Sequence, residues 1–129
     1  MAEMKKLTPV LVVEDIEPCL GFWMDRLGFA KTVEVPEGSK LGFVILVKDS
    51  VEVMYQTYAS VEKDIGHAVP RREPATNLYI EVRDLDDVIQ RLAGANIVLP
   101  ERKTFYGARE IGAAEPGGNL VVFAEFEKQ

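Results

Sequence analysis

Residues 77–92 read NLYIEVRDLDDVIQRL, and the period of apolar residues changes within this stretch. Leu78, Ile80 and Val82 alternate with Asn77, Tyr79 and Glu81, which predicts a strand with one buried face. From Asp84 onward Leu85, Val88, Ile89 and Leu92 recur at spacings of three and four, one face of a helix. Asp84 is placed to cap that helix and Gly94 to end it. Residues 8–23, TPVLVVEDIEPCLGFW, repeat the design. Shifted by 69 positions, Leu11 matches Ile80, Val13 matches Val82, Asp15 matches Asp84, Leu20 matches Ile89 and Trp23 matches Leu92.

The rest of the chain fits two copies of one unit. After the first helix, strands are predicted at Phe29 to Val35, Leu41 to Val47 and Val51 to Gln56, the last two closed by Lys48-Asp49-Ser50. Asp15 is expected to cap the first helix, with Pro18 in the first turn and Gly28 after the last. The second copy continues with strands at Ile97 to Leu99, Ala108 to Ala114 and Asn119 to Phe126. The reading is a single α+β domain, residues 1–129, of tandem βαβββ repeats (about 7–56 and 76–126). A linker over 57–75 joins them, with a short helix at Ser60 to Ile65 and the one histidine, His67, in a loop.

The 129 residues suit one domain with a real core, and 47% apolar with 28% charged residues are ordinary for a globular chain. A net charge of −6 argues against nucleic acid, whose phosphates need clustered Lys and Arg. The same acidity suits solubility, and it is compatible with a cationic ligand. No run is long enough for a membrane span. The apolar run Leu7 to Val13 is broken by Pro9 and stopped by Glu14 and Asp15, unlike a signal peptide. The single cysteine, Cys19, fits a reducing cytoplasm. It reads as a small buried thiol or, less simply, as a nucleophile.

Alternation sorts the strand side chains. Leu11, Val13, Val51, Val53, Val121 and Phe123 should lie under the helices. The opposite face then carries Thr8, Val10, Val12, Glu52, Met54, Gln56, Asn77, Tyr79, Glu81, Leu120, Val122 and Ala124. Apolar walls with a few directed polar groups are the usual form of a small-molecule site. The same face would equally serve as a core between the repeats or between two chains.

The duplicated strand-Asp-helix starts, Phe22-Trp23 with Leu27-Gly28-Phe29, and the closing Glu115-Pro116-Gly117-Gly118-Asn119-Leu120 turn resemble the vicinal oxygen chelate superfamily. That group includes glyoxalase I, extradiol dioxygenases, fosfomycin-resistance enzymes and bleomycin-resistance proteins. The resemblance runs from about Leu7 to Phe126 and implies paired βαβββ modules with curved mixed sheets forming a cleft, commonly in a homodimer. It also implies four metal-ligand positions, which fall on Thr8, Asn77, Val122 and either Glu52 or Met54. This set is too poor in carboxylate and imidazole for a divalent ion. The expectation is therefore no metal and no cofactor, as in the bleomycin-resistance-like branch, which sequesters a ligand without altering it. Tyr106-Gly107-Ala108-Arg109-Glu110 also resembles that branch, so Tyr106 and Arg109 join Glu52, Met54, Gln56, Asn77, Tyr79 and Val122 as ligand-binding candidates. Tyr106 and Arg109 read equally well as packing and a surface ion pair with Glu110 or Glu115. The rival readings are an enzyme (lyase, isomerase or oxygenase) with atypical ligands or with Glu52 or Glu81 as a base, and a protein-interaction module.

Overall fold

Leu11 and Val13 in the first copy and Val121 and Phe123 in the second are buried where alternation places them, and they define the side on which each sheet meets its helix. The computed structural model describes residues 2–73 and 76–127; the end of the linker, Pro74 and Ala75, lies outside them. The first module runs β1 (Val10–Val13), α1 (Glu17–Leu20) continued by a π-helical segment (Gly21–Arg26), β2 (Ala30–Glu37), β3 (Lys40–Lys48) and β4 (Val51–Thr57). Helix α2 (Tyr58–Ile65) opens the linker. The second module runs β5 (Asn77–Glu81), α3 (Leu85–Arg91), β6 (Asn96–Lys103), β7 (Ala108–Ala114) and β8 (Leu120–Phe126).

Each module is a four-stranded mixed sheet of the same order, β1-β4-β3-β2 and β5-β8-β7-β6. The strand before the helix pairs in parallel with the last strand, and the other pairs are antiparallel. The outer strands β2 and β6 run further than alternation predicts, because each contains a proline. Pro36 and Pro100 fall at irregularities in the pairing, and an edge strand tolerates the missing N–H. The helix sides of both sheets share one core, in which Ile16, Trp23, Leu85 and Leu92 are almost fully buried. The opposite sheet faces turn away from that core.

Two expectations for the first helix are corrected. Asp15 does not cap it: the helix begins after Ile16 without a side-chain cap, and Asp15 pairs with Lys40 at 2.7 Å. A cap bonds the N–H two or three positions on, and three residues after Asp15 stands Pro18, which has none. In the second module that place belongs to Asp87, whose N–H donates to Asp84 Oδ1 at 3.1 Å. The helix also widens into π geometry over six residues, which packs Phe22 and Trp23 inward.

The modules are joined through a buried polar chain. Trp23 Nε1 donates to Tyr55 Oη at 2.9 Å, and Tyr55 donates to Glu115 Oε2 at 2.5 Å. Asn119 N–H donates to the other carboxylate oxygen at 2.5 Å. Gly117 is required here, since a Cβ would stand 2.9 Å from Glu115 Oε2 and 3.2 Å from Cys19 Sγ. Burial, with Glu115 close by, pushes the Cys19 thiol up to about 12, so it stays protonated and behaves as a core group, not a nucleophile.

Candidate functional site

On the faces turned away from the helices, cross-strand register lines the side chains up in rows. In the first module Val10, Met54, Ile45 and Val33 form one row, and Val12, Gln56, Phe43 and Val35 the next. The corresponding rows of the second are Tyr79, Val122, Gly112 and Leu99, then Glu81, Ala124, Glu110 and Arg102. These faces are open in the single chain: Val10 is 45% exposed, Val35 49% and Tyr79 52%. A cavity of about 560 Å³ lies instead on the helix side, between the β3–β4 hairpin and the start of α3.

The polar groups of the two faces are organised differently. In the first module Thr8 Oγ1 donates to Glu52 Oε1 at 3.0 Å and Lys6 Nζ lies 2.8 Å from the same oxygen. The hydrogen bond from Lys6, seconded by Thr8, holds the Glu52 carboxyl below the usual carboxylate range. Glu52 is therefore a poorer base than a carboxylate left unpaired in an apolar cleft would be, because desolvation without such partners raises the pKa. Gln56 Nε2 is occupied by Ser60 Oγ at 3.1 Å. In the second module the side chains converge on Glu110, which is 1% exposed. Tyr106 donates to its Oε2 at 2.5 Å, Tyr79 donates to the same oxygen, and Arg102 donates to Oε1 through Nε at 3.1 Å and Nη2 at 2.9 Å. Burial pushes the Glu110 carboxyl up, but the bonds from Tyr106, Tyr79 and Arg102 outweigh it and leave the group below its ordinary range. Burial and the bond to Glu110 push the Tyr79 phenol well above its ordinary 10.0.

Of the predicted site residues, the structure brings Tyr79 and Tyr106 together, and Met54, Asn77 and Val122 stand on the open faces as expected. Arg109 is corrected. It points to the helix side of β7, where Nη2 meets Asp86 Oδ1 at 2.9 Å and Glu101 Oε2 at 2.6 Å. Glu110, read only as a surface partner, and Arg102 take its place. Alternation alone puts Glu110 beside Ala108 and Gly112 on the open face, but only the fold brings residues 79, 102, 106 and 110 to one point.

The register also decides which residue mirrors Val122. Val10 faces Met54 across β1 and β4, and Tyr79 faces Val122 across β5 and β8. Val10 and Tyr79 stand two residues past Thr8 and Asn77, so Met54 is the counterpart of Val122 and Glu52 lies one row away. The four metal-ligand positions implied by the resemblance thus hold Thr8, Met54, Asn77 and Val122, which do not fit a divalent ion at the usual distances of about 2 Å. Among the described residues, no three His, Cys, Asp or Glu side chains cluster to hold one elsewhere.

The sequence matches the family model described as the Glyoxalase/Bleomycin resistance protein/Dioxygenase superfamily over residues 6–123. The chain belongs to this superfamily. Its paired βαβββ modules are shared with solved structures of low sequence identity. TioX from Micromonospora sp. ML1 is 18% identical with a TM-score of 0.78, covering 96% of this chain and 100% of that one. A protein of unknown function from Agrobacterium tumefaciens str. C58 is 23% identical with a TM-score of 0.76, covering 98% of each chain. A lactoylglutathione lyase from Agrobacterium tumefaciens is 13% identical with a TM-score of 0.73, covering 97% and 96%. At these identities superfamily likeness extends to the fold and not to a reaction. A comparison with curated proteins finds no match. Among the described residues no helix is long and apolar enough to cross a membrane.

Proposed function

We propose that the chain acts as a homodimer that binds a small apolar or aromatic molecule and leaves it unchanged, as the bleomycin-resistance-like members of the superfamily do. The observation that carries this is the pair of open sheet faces, mostly apolar in the first module and apolar around one polar cluster in the second. Within one chain the two faces turn away from a shared core. A cleft walled by both is therefore built from the first module of one copy and the second module of the other. Exposed apolar surface of this extent marks an interaction site, and a pocket of such walls with few directed polar groups suits a small ligand. The donor set at the superfamily's metal positions favours binding over metal-assisted catalysis, and the lowered Glu52 carboxyl does not favour a general base.

Light scattering on the purified protein is expected to give a dimer, and Val35→Asp, which places a charge on the apolar face, a monomer. Metal analysis of protein prepared without chelator is expected to find far less than one Ni, Zn, Mn or Fe per chain. A wild-type monomer, or one tightly held metal ion per chain, would overturn the reading.

A further inference from the structure

The hydrogen-bond polarity of the Glu110 cluster is fixed. Both oxygens of the carboxylate are engaged. Oε1 takes two bonds from Arg102, and Oε2 takes the hydroxyl hydrogens of Tyr79 and Tyr106. A carboxylate is acceptor-only and a phenol has one hydrogen to give. Both phenols are thus committed as donors toward Glu110, and each has only oxygen lone pairs left to offer outward. Turning either hydroxyl toward a ligand would strip a donor from a carboxylate with almost no access to water, which is costly. The rings themselves are reachable, Tyr79 at 52% and Tyr106 at 45% exposure.

The surroundings point the same way. Glu81 stands in the same row as Glu110, two strands away across Ala124, and forms no ion pair or side-chain hydrogen bond among the described residues. Arg102 directs its Nε and Nη2 at Glu110, so its charge is matched within the cluster. The ring of Tyr106 lies 6.3 Å from that of Phe126 and 5.1 Å from that of Phe105, which supplies aromatic surface beside the phenol oxygens. Aromatic faces and outward lone pairs both favour a cation that carries N–H groups.

We propose that the phenol oxygens of Tyr79 and Tyr106, oriented by Glu110, form the polar anchor of the cleft and select a ligand with a protonated amine on an aromatic or apolar body. Tyr79 and Tyr106 touch the ligand; Glu110 is a positioning residue that sets which way their hydrogens point. This rests on the cleft binding a small molecule, and it adds the ligand's chemical class. The polarity depends on Glu110 having no hydrogen to give. A glutamine in the same shape would reverse it. Its carbonyl could accept from Arg102 while its two amide hydrogens go to the phenol oxygens, leaving both hydroxyls free to donate outward to an anion.

The test uses three fluorescent probes of one size, 2-naphthylmethylamine, 2-naphthylmethanol and 2-naphthoate, titrated into the full-length protein at pH 7. The amine is expected to bind roughly tenfold or more tightly than the carboxylate, the range for a hydrogen bond to a charged group. In the Tyr79→Phe, Tyr106→Phe double variant that preference should fall to within about threefold, with the alcohol little changed. In Glu110→Gln the order should move toward 2-naphthoate. Tyr79→Phe alone, the milder change, should show about half of the loss on a logarithmic scale if the double variant does not fold. Tightest binding of 2-naphthoate to the wild type would make Arg102 the anchor and overturn the proposal. An unchanged order in Glu110→Gln would also overturn it. Equal binding of all three probes removes the anchor and leaves the binding cleft standing, whereas no binding of any probe removes both.

Discussion

In the first module the row Val12, Gln56, Phe43 and Val35 occupies the place that Glu81, Ala124, Glu110 and Arg102 hold in the second. The same strand order and pairing thus present a wall that is apolar but for Gln56 in one copy and a polar, oriented cluster in the other. Their helix sides also differ. The β7–β8 turn of the second module inserts Glu115 into the first module's core, where Tyr55 meets it. The β3–β4 hairpin of the first module makes no such insertion and leaves a cavity beside α3. The two copies keep the backbone that makes a four-stranded mixed sheet, and they divide the labour on both of its faces. The second supplies the buried carboxylates, one locking the modules together and one turned to the open side.

That division predicts the largest single effect at the junction. Tyr55→Phe leaves the buried Trp23 N–H without an acceptor and removes one donor from Glu115, so urea unfolding should show a loss of about 2–3 kcal/mol. A loss under about 0.5 kcal/mol would mean that the polar chain does not hold the modules together. Alkaline pH probes the same place with a smaller signal. The Cys19 thiol is raised from an ordinary 9.0 to about 12. The folded state therefore favours the protonated thiol, and this contribution is complete below pH 9 and lost as pH rises toward 12. Tyr55, raised from 10.0 by burial first and by Glu115 second, adds to the decline from about pH 10 upward. The unfolding midpoint should fall from about pH 9 in the wild type, and in Cys19→Ala the decline should start about one pH unit later. Superimposable pH profiles would remove Cys19 from the account.

Much of the fold is legible in the sequence because its signals are local. Alternation in residues 77–82 and 120–126 and the spacing of Leu85, Val88 and Leu92 each need only neighbours along the chain, and the duplication states them twice. The extent of β2 and β6 is not legible, since whether Pro36 and Pro100 break a strand depends on being at a sheet edge. The open faces are legible as faces but not as a site. Deciding between Glu52 and Met54 as the mirror of Val122 needs the parallel register of β1 with β4. Glu110 acquires its meaning only when Tyr79, Arg102 and Tyr106 reach it from three other places in the chain. Arg109 looks like a clamp in sequence because it stands beside Tyr106 and Glu110; alternation sets it opposite Glu110, but its partners Asp86 and Glu101 are brought to it only by the fold.

The smallest difference between the modules is also the one that a single atom group explains. Asp84 receives the Asp87 N–H, and Asp84→Ala should cost about 1 kcal/mol, the usual worth of a helix N-cap. Asp15 occupies the matching position but is left with an exposed pair to Lys40, so Asp15→Ala should leave the unfolding midpoint unmoved. If the reason is the missing N–H of Pro18, then Pro18→Ala restores a donor three residues after Asp15, and only in that background should Asp15→Ala shift the midpoint. A double-mutant cycle over Asp15 and Pro18 reads that coupling directly. Zero coupling would mean that the π-helical segment, by pulling the first turn out of register with Asp15, sets the helix start, and that the two copies differ in backbone path before they differ in capping.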